Sequence, residues 1–585
     1  MTTKDKPVEL ESVQCAVCMK EVPISEATVP EGTDYVVHFC GLECYEKWKE
    51  QGDKSMLRLK ALGHEVTCRL IRGGLIGVWL LVGVIAPSTA ADLLTTETPL
   101  WVNADRPSLQ AREAVQMLLT AADEGLEPQH YQATDLNQAV AQAATGPALT
   151  PAEQARLDTA LTRAMQHYLG DLSRGRVNPS QIKARFSTPG DPAVDLGAWL
   201  RTAVREQRLN QSVAQLATQA PMAAPLRQAL AQYRALIPHP AWQSPLAPLP
   251  GRKLEAGQTY ADLPRLTQRL QALGDLAGGT PAPERLEGEL IAALMRFQER
   301  HGLTPDGVLG PQTLQQLNIT PEQRAEQIVL TLERLRWTPL RQASRMVVIN
   351  VPEFVLRAYE VQDGRVQVKL SMKVIVGKAL DTRTPLFDED MRFIEFSPYW
   401  NIPPSIARHE TIPHLRADPG YLARQGMEFV TASGQVVTRF APRHLDAVLS
   451  GAWRIRQRPG PKNALGDIKF IFPNNSNIYL HHTPEPGLFE RDRRDFSHGC
   501  IRVQDPVALA KFVLQDDPDW PEERIRAAMT SGQSSTLRLA QPLNVLIAYS
   551  TVVAKAGRVF FYPDLYGHDR LLARALRQHA AALTP

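Results

Sequence analysis

The chain of 585 residues is too long for one hydrophobic core, since single domains run to roughly 100–200 residues, so three or four domains are expected. A hydrophobic fraction of 44% and a charged fraction of 22% exclude wholesale disorder. The net charge of +3, without a long run of Lys or Arg, leaves no electrostatic footprint for nucleic acid, and 45 prolines imply many turns and linkers.

Residues 1–55 contain Cys15 and Cys18 as C-x2-C, then Cys40 and Cys44 about twenty residues later. Two closely spaced pairs suit a tetrahedral zinc site, because each pair sits on a turn that aims both sulfurs at one ion. So small a segment has little core, and metal would supply the missing stability. Reduced cysteines without metal are the alternative, and His38 could replace one thiolate. The stretches VQCAVCMKEVPISEA and HFCGLECYEKW resemble the small cysteine-rich modules carried on mercury-resistance transposons, which implies a zinc-ribbon-like fold.

Residues 69–91 read as a signal peptide or a membrane anchor. The stretch Gly73 to Ala86 carries no charge, follows Arg69 and Arg72, and ends in Pro87-Ser88-Thr89-Ala90-Ala91. Its helix would span about 21 Å, short of the ~30 Å hydrocarbon core, which favours a secretory segment over a permanent anchor. Either reading puts the basic flank in the cytoplasm and everything after Asp92 outside, with periplasmic placement expected. A signal normally begins a chain, whereas some seventy residues precede this one; translation from Met56 would put a basic region directly ahead of it. Cys500 alone follows the apolar stretch, so a disulfide within the exported part is impossible. A lone thiol in an oxidising compartment is buried or used.

Residues 93–245 read as a helical scaffold. Thr150-Pro151-Ala152-Glu153 is a helix start with a capping box, and Leu157, Leu161, Ala164 and Tyr168 share one face. Gly125 and Gly170 read as helix stops, and no residue cluster in the region calls for chemistry. The proline-dense stretch 236–258 reads as a linker. Over residues 258–320, helices through Leu266, Leu270 and Leu273 and through Ile291, Leu294, Met295 and Phe297 precede a glycine-rich turn and a third helix. Phe297-Gln298, Gly302-Leu303, Asp306-Gly307, Gly310, Thr313 and Leu317 resemble the pattern of the three-helix peptidoglycan-binding domain. Binding to wall is implied by that resemblance, and a packing role is the alternative.

From Arg345 the pattern turns to strands, with a hairpin turn at Asp363-Gly364 and few helical patches before Pro506. The catalytic domain is expected over 345–530, and strands through Val545-Ile547-Tyr549 and Val559-Phe561 with a closing helix over 531–585. Residues 405–452 break the strand rhythm and read as a polar, mobile lid inserted over a site.

The chemistry concentrates in IYLHHTPEPGLFERDRRDFSHGCIRV, Ile478 to Val503. A thiol is nucleophilic as thiolate, so a working cysteine needs a base or positive charge nearby. His481 lies nineteen residues before Cys500, His498 two before it, and Arg502 two beyond. Gly499 allows close approach to a carbonyl, and the amides around Gly499 and Cys500 can stabilise an oxyanion.

Ser497-His498-Gly499-Cys500-Ile501-Arg502 is similar to the [S/T]-H-G-C-[I/V]-R motif of the L,D-transpeptidase (YkuD) family, and Tyr479-Leu480-His481-His482-Thr483-Pro484 to its Y-L-H-x-T-P stretch. The layout resembles the large multidomain Gram-negative members, as does Ser397-Pro398-Tyr399-Trp400-Asn401-Ile402-Pro403. That resemblance implies a mainly β catalytic sandwich beside an α-helical scaffold and a three-helix domain, with no cofactor for catalysis. It implies that Cys500 attacks a tetrapeptide stem, releases D-Ala, and passes the acyl group to a neighbouring stem amine as a 3→3 crosslink. His481 would be the base, Ser497, His498, Gly499 and Arg502 the oxyanion and orienting group, and Tyr479 and Trp400 substrate contacts. Carbapenems are expected to acylate the thiol. His482 stands where large members usually have Asp, so the acceptor that orients the base must be found elsewhere, such as a backbone carbonyl. Papain-like hydrolases place cysteine before histidine, and sortases lack the SHGC spacing. A wall hydrolase or carboxypeptidase and a non-catalytic wall-binding protein remain the alternatives.

Overall fold

The computed structural model describes residues 12–14, 21–23 and 99–583, except 188–194, 218–221, 341–342, 363–364 and 380–381. The chain divides into two compact units. The larger comprises Pro99–Met391, Glu485–Asp517 and Gln541–Pro585; the smaller comprises Met1–Thr98, Arg392–Pro484 and Pro518–Ala540.

In the larger unit the scaffold is built on helix Pro151–Arg174, where the Thr150 side chain and Glu153 close the expected capping box. Leu161, Met165 and Leu169 line its buried face, and Trp101 packs there with its indole N–H donating to Thr162 Oγ1 at 2.8 Å. Gly125 ends a 3-10 turn in the left-handed region at φ 72°, as expected of a stop. Gly170 does not: the helix runs through it to Arg174 and Gly175, at φ 76°. An interior glycine disfavours a helix by only about 1 kcal/mol, less than burial of the neighbouring Leu169 and Leu172 provides.

The three-helix region packs Leu266, Leu270, Leu294, Phe297, Leu309 and Leu317 into one core. Its motif has a mechanical reading. Gln298 accepts from the Gly307 N–H at 2.9 Å and donates to Asp306 Oδ1 and Val308 O, so one amide holds the turn that Gly307 enters at φ 71°. The stretch read as a linker is packed instead. Leu246 and Leu254 belong to that core, and buried Arg269 donates to Ala241 O, Ser244 O, Leu317 O and Asn318 Oδ1. Proline density marked the absence of regular structure, and the guanidinium supplies the missing anchorage.

Helix Pro321–Trp337 packs Ala325, Ile328 and Leu332 with Leu226, Leu230, Val552 and Phe561. It also buries Glu333, which accepts from Val177 N and pairs with Arg176 and Arg336. The catalytic strands follow. Strand Arg345–Asn350 pairs antiparallel with Val355–Gln362 and parallel with Asn544 to Ala548, while Val355–Gln362 pairs antiparallel with Arg365–Gly377. The residues Asp363 and Gly364 themselves lie outside the described residues, but the Gln362↔Arg365 register leaves two residues for a turn. The expected closing strands are Ser535–Ala548, Val552–Lys555 and Arg558–Phe561, followed by helix His568–Leu583.

The smaller unit carries strand segment 393–396 paired with Ile468–Ile471, which pairs in turn with Leu480–His481. The segment read as an inserted lid forms a layer with its own core of Ile402, Ile412, Leu415, Phe429, Leu445 and Ile455. Four strands run Trp400–Asn401, Trp453–Gln457, Met427–Thr431 and Val436–Val437, with helices Ile412–Ala417 and Pro442–Leu449 beside them. Short elements separated by polar turns hid this periodicity. Strands Ser12–Gln14 and Glu21–Pro23 pair antiparallel at the amino terminus. Cys15, Cys18, Cys40, Cys44, His38 and the 69–91 segment lie outside the described residues. Among the described residues no helix is long and apolar enough to cross a membrane.

The turn between the first two catalytic strands is held by Glu353, which accepts from Arg357 at 2.7 and 2.5 Å and from Lys555 at 2.7 Å. Although burial opposes ionisation, these cations hold its carboxyl down to about 2 from the usual 4.5. Because the folded value is depressed, the stabilisation is complete above pH 4.5 and is lost as pH falls from 4.5 towards 2. Glu353→Gln should therefore lower stability by about 2–4 kcal/mol at neutral pH, and the difference from the parent should vanish at acid pH in urea titrations followed by circular dichroism.

Candidate active site

Cys500 is the one cysteine among the described residues and is partly exposed. It closes a turn between strands Asp495–Ser497 and Ile501–Val503, both of which pair with Arg365–Gly377. The first runs parallel to that strand, with Ser497 opposite Gly377, and the second antiparallel, with Arg502 opposite Ile375. The chain must therefore reverse within three residues, and Gly499 does so at φ 117°.

Ser497 is buried and sits inside the turn. Its hydroxyl donates to Cys500 O at 2.5 Å and accepts from Gly499 N at 3.1 Å. In this conformation the Gly499 amide is thus engaged in shaping the turn. His498 is exposed on it. Arg502 pairs with Glu485 at 3.3 Å, while its buried Nε has no hydrogen-bond partner.

The support beneath the turn was not legible in the sequence. Thr382 Oγ1 and Lys378 N donate to Ser497 O at 2.9 and 3.0 Å. Thr384 Oγ1 accepts from Gly377 N at 2.9 Å and donates to Gly499 O at 2.7 Å. Tyr566 accepts from Thr384 N at 3.2 Å and donates to Gly377 O at 2.6 Å. Burial pushes its phenol up to about 12, so it stays a neutral donor. A Cβ on Gly377 would lie 1.9 Å from Thr382 O and 3.0 Å from Gly499 Cα, so only glycine fits. Lys378, Thr382 and Thr384 lie more than a hundred residues before Cys500 and Tyr566 more than sixty after it, and the one local sign was a glycine closing the VIVG run.

His481 and Tyr479 belong to the smaller unit, as does Trp400. His481 is 4% exposed and lies opposite Lys469 in the strand pair. Its Nδ1 lies 2.6 Å from His482 O, a contact that places the ring proton on Nδ1 and the basic lone pair on Nε2. The His482 side chain turns to Asp467, with Nδ1 at 3.4 Å from the carboxylate. Tyr479 stands edge-on to His481 at 5.8 Å and carries Lys469 Nζ over its ring at 4.2 Å. Trp400 is half-buried against the core of the inserted layer.

Residues 344–521 match the family described as L,D-transpeptidase catalytic domain, YkuD, and residues 95–230 match a scaffold domain. Residues 259–317 match a "Putative peptidoglycan binding domain", and residues 8–63 match DUF3330, a domain of unknown function. A Haemophilus influenzae protein described as "Putative L,D-transpeptidase" is 30% identical over 258 residues, which is 44% of this chain and 50% of the relative. The chain thus spans about half the length of that relative. A crystal structure of the L,D-transpeptidase (residues 123–326) from Xylanimonas cellulosilytica is 17% identical, covering 52% of this chain and 100% of its own, at a TM-score of 0.16. A fused Zn-dependent amidase/peptidase/peptidoglycan-binding protein structure from Clostridium acetobutylicum is 12% identical, covering 51% and 99%, at 0.17. The chain thus carries a YkuD L,D-transpeptidase catalytic domain beside a scaffold domain and a peptidoglycan-binding domain. Its fold class is the expected one, a β-rich catalytic domain beside helical regions and a wall-binding domain.

Thr384 tests the support. Thr384→Val keeps the shape but leaves Gly377 N and Gly499 O unpaired in a buried position, at about 1–3 kcal/mol each. A loss of about 2–4 kcal/mol by urea titration, with faster alkylation of Cys500 by iodoacetamide, is the expected outcome.

Proposed function

We propose that the protein is an extracytoplasmic murein L,D-transpeptidase that forms 3→3 crosslinks through a Cys500 acyl-enzyme. The observation that carries this reading is the Ser497–Cys500 turn, which presents a lone thiol on a rigid support, together with the match to the YkuD catalytic domain. In this reading Nε2 of His481 takes the thiol proton and the thiolate attacks the carbonyl between the third and fourth residues of a tetrapeptide stem. The developing oxyanion is met by the Cys500 amide and the ring of His498. The tetrahedral species collapses with proton return from His481, D-Ala leaves as the amine, and a thioester remains. The side-chain amine of a second stem attacks the thioester and restores the thiol. One amide is exchanged for another, so the reaction needs neither cofactor nor external energy.

The His482 carbonyl takes the part that an acidic side chain plays in large relatives, since it engages His481 Nδ1. Ser497, Gly499 and Arg502 keep the turn in shape, and Arg502 also meets a stem carboxylate. Tyr479 and Trp400 contact the stem, carbapenems acylate Cys500, and the 258–320 region docks wall. Cys15, Cys18, Cys40 and Cys44 bind zinc, as a module held on the cytoplasmic side if the 69–91 segment stays uncleaved.

Mass spectrometry of the protein incubated with disaccharide-tetrapeptide tests the reaction. A crosslinked dimer with loss of D-Ala, absent with Cys500→Ala, is expected; tripeptide alone would mean hydrolysis instead. His481→Ala should slow crosslinking by about 10²–10⁴-fold. His482→Ala should slow it less than about tenfold, because the contact to His481 is made by a backbone oxygen that alanine retains. Equal losses would put the base elsewhere.

A further inference from the structure

The scaffold carries a cluster that its sequence did not reveal. His167 and Asp171 lie one turn apart on helix Pro151–Arg174, and His579 comes from helix His568–Leu583, some four hundred residues later. One donor atom from each lies within 4.8 Å of the other two. We propose that His167, Asp171 and His579 bind a zinc ion that clamps the carboxy-terminal helix to the scaffold.

The donor set fits the ion. Imidazole nitrogen and carboxylate oxygen bind zinc at about 2.0–2.2 Å, which puts neighbouring donors of a tetrahedral site about 3.3 Å apart. His167 Nε2 and Asp171 Oδ2 are 3.5 Å apart, so a small closure of His579 completes the site. Asp171 is only 6% exposed and accepts a hydrogen bond from the Tyr131 hydroxyl at 2.9 Å. That phenol orients the carboxylate but brings no charge, and a buried carboxylate demands a cation.

A second observation points the same way. His579 Nε2 is buried without a hydrogen-bond partner, and so is Nδ1 of His130, whose side chain is 8% exposed. Both rings belong to one aromatic group: His130 and His167 stand edge-on to Tyr131 at 6.5 and 5.2 Å, and His167 lies 6.5 Å from His579. Unpartnered imidazole nitrogens beside a buried carboxylate are what a metal would satisfy. Partial exposure of His167, at 29%, leaves an entry path.

A metal here has a structural consequence for the active site. The clamped helix starts two residues after Tyr566, whose hydroxyl holds Gly377 O beneath the cysteine turn. It also presents Asp569 to Arg334 and Thr551 at 2.6 and 2.7 Å. Ion binding would fix both ends of that helix.

The test uses the full chain with Cys15, Cys18, Cys40 and Cys44 changed to Ser, so that amino-terminal thiolates take up no metal. It is compared with the same chain carrying His579→Ala or His167→Gln, each dialysed against zinc and assayed for bound metal and thermal unfolding. The parent should hold one zinc more than either variant, and zinc should raise its unfolding midpoint by on the order of 5 °C, with no rise in the variants. Equal zinc content in parent and folded His167→Gln protein overturns the proposal, as does a parent that binds none. If His579→Ala fails to fold, His167→Gln decides alone, since that side chain is part-exposed and its loss leaves the helix face intact.

Discussion

The catalytic half of the molecule depends on how closely two backbone segments approach at Gly377 and Gly499. Two strands of opposite direction both pair with the end of Arg365–Gly377, and the three residues between them must turn without room for side chains beneath. The 1.9 Å that would separate a Cβ at 377 from Thr382 O leaves glycine as the sole residue for that place. Everything below the turn follows from this. Backbone groups brought so close need partners, and Thr384 and Tyr566 supply them with one hydroxyl each. The loop that carries Cys500 is thereby tied to the strands by four hydrogen bonds from two side chains.

A second economy concerns the histidine. Orientation of a buried imidazole by a carboxylate brings in a buried charge that needs its own compensation. His481 instead has the carbonyl of the next residue at 2.6 Å. A carbonyl sets the tautomer at no electrostatic penalty, but it stabilises an imidazolium less than a carboxylate does. The His482 side chain faces Asp467 instead, in a part-exposed pair. The local sequence Tyr479-Leu480-His481-His482 permits this because the strand pair pins His482 N to Ile468 O at 3.0 Å.

Buried charge elsewhere is concentrated in the larger unit and used for joining. Glu333 ties helix Pro321–Trp337 to the scaffold through Arg176 and Val177, and Glu353 ties a strand turn to the Val552–Lys555 hairpin through Lys555. Both carboxyls sit below the usual range because cations and amide donors outweigh burial. Such sites contribute little net stability over an apolar pair, but they penalise any misdocking that leaves one partner unpaired.

By itself the sequence determined the SHGC motif, the helix start at Thr150, the three-helix pattern around Asp306-Gly307, and the strand rhythm from Arg345, because each is written in residues a few positions apart. The SHGC spacing put Cys500, His498 and Ser497 on one turn, and short-range periodicity marked which faces are apolar. Where periodicity was short or interrupted, reading fell short: the strands and core of the inserted layer around Phe429 went unseen, the strap at 236–258 looked free, and Gly170 looked like a stop. Tertiary structure alone decided the long-range partners. Thr384 and Tyr566 beneath the turn, and His579 beside His167 and Asp171, are separated in sequence by distances over which no local pattern is kept. Those contacts arise from how strands and helices stack, and their energy comes from burying polar groups together, which no composition or spacing records.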